Sequence, residues 1–342
     1  MRVGVVGLGK MGLLHAAIFN SLPGSRVIAV AEPSALPRKA ASEFMPSVRV
    51  HESLDDMLAT GGLDAVVITT PVAEHVPVAL RCVESRVPFF VEKPLATSAR
   101  QADRLVAALA RRPTPNMVGF MTRHVDAFEK ARGILLTGCL GRLQRVTGTI
   151  YVSQLFTLGK GWRYDRVVAG GGVLLSQGSH LLDLLTWYFG PVARVNAEIQ
   201  SLYSIEVEDA AHAMLEFESG LRGWVDCCWS VRFRRTVETT IDVLGDNGAL
   251  VVTDDMVCVF LDRQAGGLSA GTTMLTAVDL FRPVEVDVGG PQYTREVQAF
   301  LDALCSGRHP EPDVAQALHV QRIVDAAYSS ARRAGAPERV ER

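Results

Sequence analysis

The chain has 342 residues, 48% hydrophobic and 21% charged, so it is long enough for two domains and too apolar to be disordered. Its formal net charge of -2 gives no electrostatic case for nucleic acid or an anionic membrane, and no apolar run reaches the length of a membrane span. Six cysteines fit neither a zinc spacing nor a disulfide scaffold, and the N-terminus carries no export leader, so reduced thiols, no metal and a cytoplasmic location are expected.

Residues 2–6 read as an apolar strand, and Gly7-Leu8-Gly9-Lys10-Met11-Gly12 follows at once. A helix is predicted over 11–21. A glycine-rich loop between strand and helix is the context that dinucleotide binding requires. Gly7 permits the tight turn, Gly9 lets a pyrophosphate approach the backbone, and Gly12 lets helix and strand pack closely. The helix N-terminus, with Lys10 and Met11, supplies N–H groups and a positive dipole end. The next strand, 27–31, ends at Glu32, about twenty residues beyond the loop, where a ribose-binding carboxylate belongs. Glu32 favours NAD by repelling a 2′-phosphate. NADP stays open because Ser34, Arg38 and Lys39 follow closely.

Alternation continues with a helix over 35–44, a strand over 48–50, a short helix over 54–60 and a buried strand over 65–69. Thr70, Pro71 and then His75 sit at the ligand-side end of that strand. His75 either touches the cofactor or is an ordinary capping or surface histidine. After a helix over 77–85, the run Phe89-Phe90-Val91 reads as a buried strand that stops at Glu92-Lys93-Pro94. Open parallel sheets hold their ligands beyond such strand ends. Pro94 removes a backbone donor and keeps Lys93 out of helical geometry. The chain has only five lysines, and a lysine here suits a group that must lose a proton. The alternative is a solvated loop lysine paired to Glu92. A helix over 98–111 and a strand over 117–120 complete a doubly wound parallel sheet, a dinucleotide-binding Rossmann domain over 1–121.

Beyond residue 121 the pattern changes. A helix over 125–137 and a strand over 142–152 precede Gly170-Gly171-Gly172 and a leucine-rich helix that ends at Gly190. On that helix Ser176, Gln177, His180 and Asp183 recur at three- and four-residue intervals, a polar stripe that must face water, a ligand or a buried partner. His180 is either a satisfied core histidine or a site residue. Strands are then expected over 192–200, 210–217, 221–228, 237–244, 250–253, 257–261 and 284–288, with a flexible loop over 266–273 and closing helices over 294–305 and 314–333. This describes an α+β domain over 122–342, with a large open, mostly antiparallel sheet.

Taken together, the glycine loop, Glu92-Lys93-Pro94, the Gly170-Gly171-Gly172…Gly178-x-His180-x-x-Asp183 run, Val207-Glu208-Asp209 and the closing Glu296-x-x-x-Phe300 and Ala326-Ala327-Tyr328-x-Ser330 helices resemble the Gfo/Idh/MocA family. The resemblance runs nearly end to end. It implies NAD(P)-dependent oxidation or reduction at a secondary alcohol of a sugar, cyclitol or aminosugar-type substrate. It also implies a C-terminal sheet that walls the substrate and joins copies into a homodimer or homotetramer. By position, Lys93 matches the family's catalytic lysine and His180 its active-site histidine. Arg123 matches a substrate-side arginine, and Trp162-Arg163 resembles the aromatic-basic pair before the glycine run. Two positions depart from the pattern: Ser176 stands where many members have Asp, and Asp126 where many have Pro. Ser176, Gln177 and Asp126 are therefore counted with the substrate side.

Hydride transfer from a carbinol carbon obliges the hydroxyl to lose a proton. Lys93 and His180 are the two groups expected to carry it near neutral pH. Two alternatives stay open: a secondary-metabolite dehydrogenase or ketoreductase acting on an aminoglycoside or nucleotide-linked sugar, and a non-catalytic cofactor-binding regulator.

Overall fold

A computed structural model describes residues 1–234 and 236–341. Its contacts divide the chain into two compact units. Met1–Met121 joins with Pro283–Leu318, and Thr122–Arg282 joins with the chain from His319 onward.

The first unit is built on β1 (Arg2–Val6), α1 (Lys10–Ser21), β2 (Arg26–Ala31), α2 (Ala35–Phe44), β3 (Arg49–His51), α3 (Leu54–Ala59), β4 (Ala65–Ile68), α4 (Val72–Ser85), β5 (Phe89–Glu92), α5 (Ala99–Arg111) and β6 (Asn116–Gly119). The six strands are parallel, in the order β3-β2-β1-β4-β5-β6. The strand order reverses between β1 and β4, which is where an open α/β sheet opens a crevice for a ligand. Strands buried on both faces explain the unbroken apolar runs: every residue of β4 and β5 is buried.

One helix starts earlier than its sequence suggests. Pro77 is favoured at a helix start, yet α4 begins at Val72 and carries Pro77 inside. A proline there leaves the carbonyl four residues back without its helical donor. That carbonyl belongs to Ala73, and Gln101 Nε2 from α5 donates to it at 3.0 Å.

The second unit contains α6 (Asp126–Leu136), β7 (Leu143–Tyr151), α7 (Arg166–Ala169), a π-turn (Leu174–Gly178), α8 (Ser179–Phe189), β8 (Val192–Gln200), β9 (Ala210–Phe217), β10 (Arg222–Cys228), β11 (Glu238–Gly245), β12 (Gly248–Thr253), β13 (Met256–Leu261), β14 (Gly271–Thr276) and α9 (Ala277–Leu280). Its nine-stranded sheet has the order β14-β13-β12-β11-β7-β10-β9-β8-β15, the last strand being Glu338–Arg339. The pairings are antiparallel except β7 with β10. The predicted loop over 266–273 is half right. From Gly271 the chain pairs with β13 as an edge strand, half of whose residues are exposed.

The helices α10 (Pro291–Cys305) and α11 (Val314–Arg332) close the chain. The sequence reading assigned everything beyond 121 to one domain, whereas Pro283–Leu318 packs with the first unit. Val297, Phe300 and Leu301 of α10 join Val3, Val5, Ile18, Phe19, Phe90 and Met117 in one core. The predicted strand over 284–288 does not form, and Val286 and Val288 lie against that core as irregular chain. Apolar alternation there records burial against the core and not sheet pairing. No helix of the described residues is long and apolar enough to cross a membrane. All six cysteines are free thiols.

Candidate functional site

In the first unit the glycine loop has the geometry its spacing demands. Gly7 has φ +91, and a Cβ on it would lie 2.9 Å from the Thr69 carbonyl oxygen. A Cβ on Gly12 would lie 1.9 Å from the Gly7 carbonyl oxygen, so only glycine fits between helix and strand. At Gly9 the same atom would meet nothing within 4 Å, so this side of the loop is open. Gly9 is the N-cap of α1 and caps no N–H with a side chain. An open glycine before uncapped N–H groups suits a diphosphate. Lys10 and Met11 form the first turn behind it.

Glu32 ends β2, as expected. Its Oε2 accepts from the Leu8 N–H and its Oε1 from the Ser34 N–H, both at 2.9 Å. The carboxylate is thereby fixed beside the glycine loop, with further lone pairs for ribose hydroxyls. The two cations that left NADP open are engaged nearby. Arg38 Nη1 donates to the Glu32 and Pro33 carbonyls at 2.9 and 2.7 Å, and its Nη2 lies 3.4 Å from Glu52. Lys39 is exposed and 3.9 Å from Glu43. These residues fit NAD.

The Glu92-Lys93-Pro94 turn follows β5 directly, and its Lys93–Pro94 peptide is cis. Glu92 Oε2 accepts from the Lys93 N–H at 3.2 Å. Its Oε1 lies 2.7 Å from His15 Nε2, and both side chains are buried. His15 escaped the sequence reading. It sits on α1 among the buried Gly12, Ala16, Ile18 and Phe19, where a polar side chain needs a partner, and that was the available signal. Thr70 and Pro71 lie at the end of β4, and His75 is buried in the first turns of α4. Both His75 ring nitrogens face main-chain oxygens: Nδ1 is 2.8 Å from Pro94 O and Nε2 is 2.9 Å from Thr70 O. Burial holds the His75 pKa below its ordinary value, against the pull of those two carbonyls.

In the second unit the expected polar stripe divides. The π-turn from Leu174 to Gly178 interrupts the 3.6-residue period, and such turns recur at functional sites. Ser176 and Gln177 are half-buried at this turn, whereas His180 and Asp183 on α8 are buried. Glu208 anchors the start of the segment. Its carboxylate accepts from the Gly172 and Leu174 N–H groups and from Tyr328 Oη, each at 2.9 Å. Burial nonetheless pushes the Glu208 carboxyl up. A Cβ on Gly172 would lie 2.0 Å from the Glu208 carbonyl oxygen, which explains one member of the glycine run.

His180 Nδ1 lies 3.4 Å from Thr122 Oγ1, at the long limit of a hydrogen bond. Arg123 grips Asp183 with two bonds, Nε to Oδ2 at 2.8 Å and Nη2 to Oδ1 at 2.7 Å. Its guanidinium also lies 5.3 Å from the centre of the Trp187 ring. Burial pushes the Asp183 carboxyl up and Arg123 opposes it. The bidentate geometry is that of an ionised pair. Asp183 was seen on the stripe, but not as the partner of Arg123. Asp126 opens α6, where its Oδ1 accepts from Arg282 Nε at 2.6 Å; Glu129 accepts from the same guanidinium. Trp162 is exposed, with the Arg163 guanidinium 5.4 Å from its ring centre.

Comparison with known proteins agrees with this geometry. Residues 1–120 match the oxidoreductase family with an NAD-binding Rossmann fold, and residues 128–251 match the GFO/IDH/MocA C-terminal domain. The chain is 30% identical to an inositol 2-dehydrogenase of Leifsonia xyli subsp. xyli over 245 residues, which is 70% of this chain and 69% of that one. Among solved structures, a levoglucosan dehydrogenase in complex with NADH superposes with a TM-score of 0.90 at 21% identity, covering 100% of this chain and 99% of that chain. GenD2 from gentamicin A biosynthesis, in complex with NAD, superposes with a TM-score of 0.82 at 25% identity, covering 100% and 97%. The glycine loop with Glu32, the nine-stranded sheet and these similarities together lead to one assignment: the chain belongs to the GFO/IDH/MocA family of NAD-binding oxidoreductases.

Proposed function

We propose that this protein is a cytoplasmic NAD-dependent dehydrogenase that moves a hydride between a ring secondary alcohol, or the matching ketone, of a sugar, cyclitol or aminosugar-type substrate and nicotinamide. The observation that carries this reading is the placing of Lys93 directly beyond a buried strand of the dinucleotide sheet, next to Glu92. NAD, when bound, supplies the hydride acceptor. In our assignment Gly7, Gly9, Lys10, Met11, Gly12 and Glu32 hold its diphosphate and ribose, with Thr70, Pro71, His75 and Glu92 forming the edge around them.

Lys93 Nζ and His180 Nε2 take and return the hydroxyl proton, which asks each to change protonation near neutral pH. Ser176, Gln177, Trp162, Arg163, Arg123 and Asp126 orient the ring hydroxyls. The open face of the nine-stranded sheet, where register sets Trp224, Phe260 and Met274 on one side, joins copies into a homodimer or homotetramer. A second reading, a dehydrogenase of aminoglycoside-type pseudosaccharides, is favoured by the similarity to GenD2 along the whole chain.

The test is reduced-nicotinamide absorbance with myo-inositol, scyllo-inositol, D-apiose, levoglucosan and an aminoglycoside panel. Turnover of a cyclitol or simple sugar supports the first reading. Turnover confined to aminoglycosides supports the second. NAD binding with no turnover of any polyol would leave a cofactor-binding regulator.

A further inference from the structure

Two buried histidines hold the Glu92-Lys93-Pro94 turn from different elements. His15 reaches it from α1, the helix that starts at the glycine loop, with Nε2 2.7 Å from Glu92 Oε1. His75 reaches it from α4, with Nδ1 2.8 Å from Pro94 O and Nε2 2.9 Å from Thr70 O. The two contacts bracket Lys93 along the chain, one on the residue before it and one on the residue after. Each histidine also belongs to a helix that starts at a strand end of the proposed cofactor edge: α1 behind the glycine loop, and α4 after β4.

Neither contact is what apolar packing alone would select. His15 has no exposed surface and its Nδ1 has no hydrogen-bond partner. It is surrounded by rings, with centroids 5.0 Å away at Phe90 and 6.4 Å away at Tyr293. An aliphatic side chain would avoid the cost of that orphaned nitrogen. What the imidazole adds is one charge-assisted bond to Glu92, whose other oxygen receives the Lys93 N–H. On β6 a Cβ at Gly119 would press first on the Phe90 ring, at 3.0 Å, so the glycine leaves room for the ring that packs against His15. On the other side, His75 lies between the Pro94 and Thr70 carbonyls; its buried, neutral ring carries one N–H, which donates to one of the two oxygens while the ring packs against the other.

We propose that His15 and His75 are positioning residues that clamp this turn between them, and so set where the Lys93 ammonium points and how readily it loses its proton. The inference rests on the reading of Lys93 as a proton carrier but is tested apart from it. Neither histidine needs to touch the substrate. Their role is to keep the lysine aimed with respect to the glycine loop and the β4 edge, so that binding of the dinucleotide meets a turn already in place.

The chain has only five lysines, so protein carrying carbon-13 at the lysine Cε positions gives a short set of NMR signals, and Lys93→Arg identifies the one from Lys93. Each signal is titrated against pH without cofactor or substrate. In His15→Leu and in His75→Leu the Lys93 midpoint should move by about half a unit or more, with Lys10, Lys39, Lys130 and Lys160 unmoved. His15→Gln, which keeps a donor near the Nε2 position, should restore the parent titration. Turnover should fall by about 10- to 100-fold in the leucine variants, and in His15→Leu, which lies outside the cofactor-binding set, the NAD dissociation constant should change less than about threefold. Should His15→Leu not fold, His15→Asn, too short to reach Glu92, takes its place. A Lys93 signal that titrates as in the parent in both histidine variants overturns the clamp, whatever the turnover. Normal turnover in Lys93→Ala overturns the catalytic assignment instead, and leaves the titration result to judge the clamp.

Discussion

Arg123 and Asp183 form a bidentate ion pair inside the second unit, and both side chains are buried. The pair ties the segment before α6 to α8, three residues beyond His180. A buried pair of this kind is poor as a net source of stability, because both charges lose water. Breaking it is another matter. Asp183→Asn leaves the guanidinium buried against a neutral amide and should lower stability by about 3–5 kcal/mol. Urea titration of the parent and variant measures this. A loss below about 1 kcal/mol would show that water reaches the guanidinium. Arg123→Met with Asp183→Leu, which removes both charges, should recover much of the loss.

Lys93→Ala should keep NAD affinity and lower turnover by about 10²- to 10⁴-fold, the range for a lost general acid or base. Calorimetric titration with NAD and steady-state rates on the same preparation separate the two effects. An alanine variant with near-parent turnover ends the assignment.

Glu32 should set cofactor choice. Its carboxylate is fixed by the Leu8 and Ser34 N–H groups, and Arg38 is bound to main-chain carbonyls close by. Glu32→Ser removes the repulsion of a 2′-phosphate together with one ribose acceptor. The ratio of NADPH to NADH affinity should rise by about tenfold or more, against a parent that prefers NADH. A parent that already prefers NADPH contradicts this account of Glu32.

Asp209 offers a pH test of the fold alone. Burial raises its carboxyl, but donors from Ser204, Tyr203 and Trp229 outweigh burial, and the net shift is downward. Leu202, Tyr203 and Ser204 N–H groups reach Oδ2 at 2.6 to 2.8 Å, and Trp229 Nε1 reaches Oδ1 at 2.5 Å. With a lowered folded value, the unfolded chain binds the proton first. The stabilisation is therefore present above the ordinary carboxylate range and is lost as pH falls through the folded value. Asp209→Asn should melt lower than the parent at neutral pH, and the difference should shrink in acid. A difference that stays constant down to the acid limit would show that the charge is not involved.

Much of the first unit is legible in the sequence because its signals are local. The central strands are apolar runs, most helices show their period, and the glycine loop states its own geometry. Glu32 and the Glu92-Lys93-Pro94 turn are found for the same reason. What is not legible depends on partners far away in the chain. His15 reads as one polar residue on a helix until Glu92, 77 residues on, supplies its partner. Val286 and Val288 alternate like a strand, but they are covered by the core that α10 completes. Asp183 announces a buried partner without saying that it is Arg123. The π-turn at Leu174–Gly178 interrupts the 3.6-residue period, so helical spacing does not reveal that Ser176 and Gln177 are half-buried where His180 and Asp183 are buried.

That regrouping sharpens the expectation for Ser176. Ser176 lies on the half-buried π-turn and His180 on the buried first turn of α8, so the two need not serve the same step. A serine hydroxyl can donate and accept but carries no charge. In the proposed reaction it would orient a ring hydroxyl, and Lys93 and His180 would carry the proton. Ser176→Ala should therefore raise KM by about threefold to tenfold and leave kcat within about threefold, as expected for lost uniform binding. His180→Ala should lower kcat by about 10²-fold or more. Ser176→Asp adds a carboxylate near His180, and a nearby negative charge favours the protonated ring. The limb of the pH–rate profile that belongs to His180 should then move to higher pH, and His180→Asn should abolish that limb. If Ser176→Ala depresses kcat as deeply as Lys93→Ala in folded protein, the serine takes part in the chemistry and this division of roles is wrong. If Ser176→Ala changes only the melting temperature, Ser176 serves the π-turn and not the substrate.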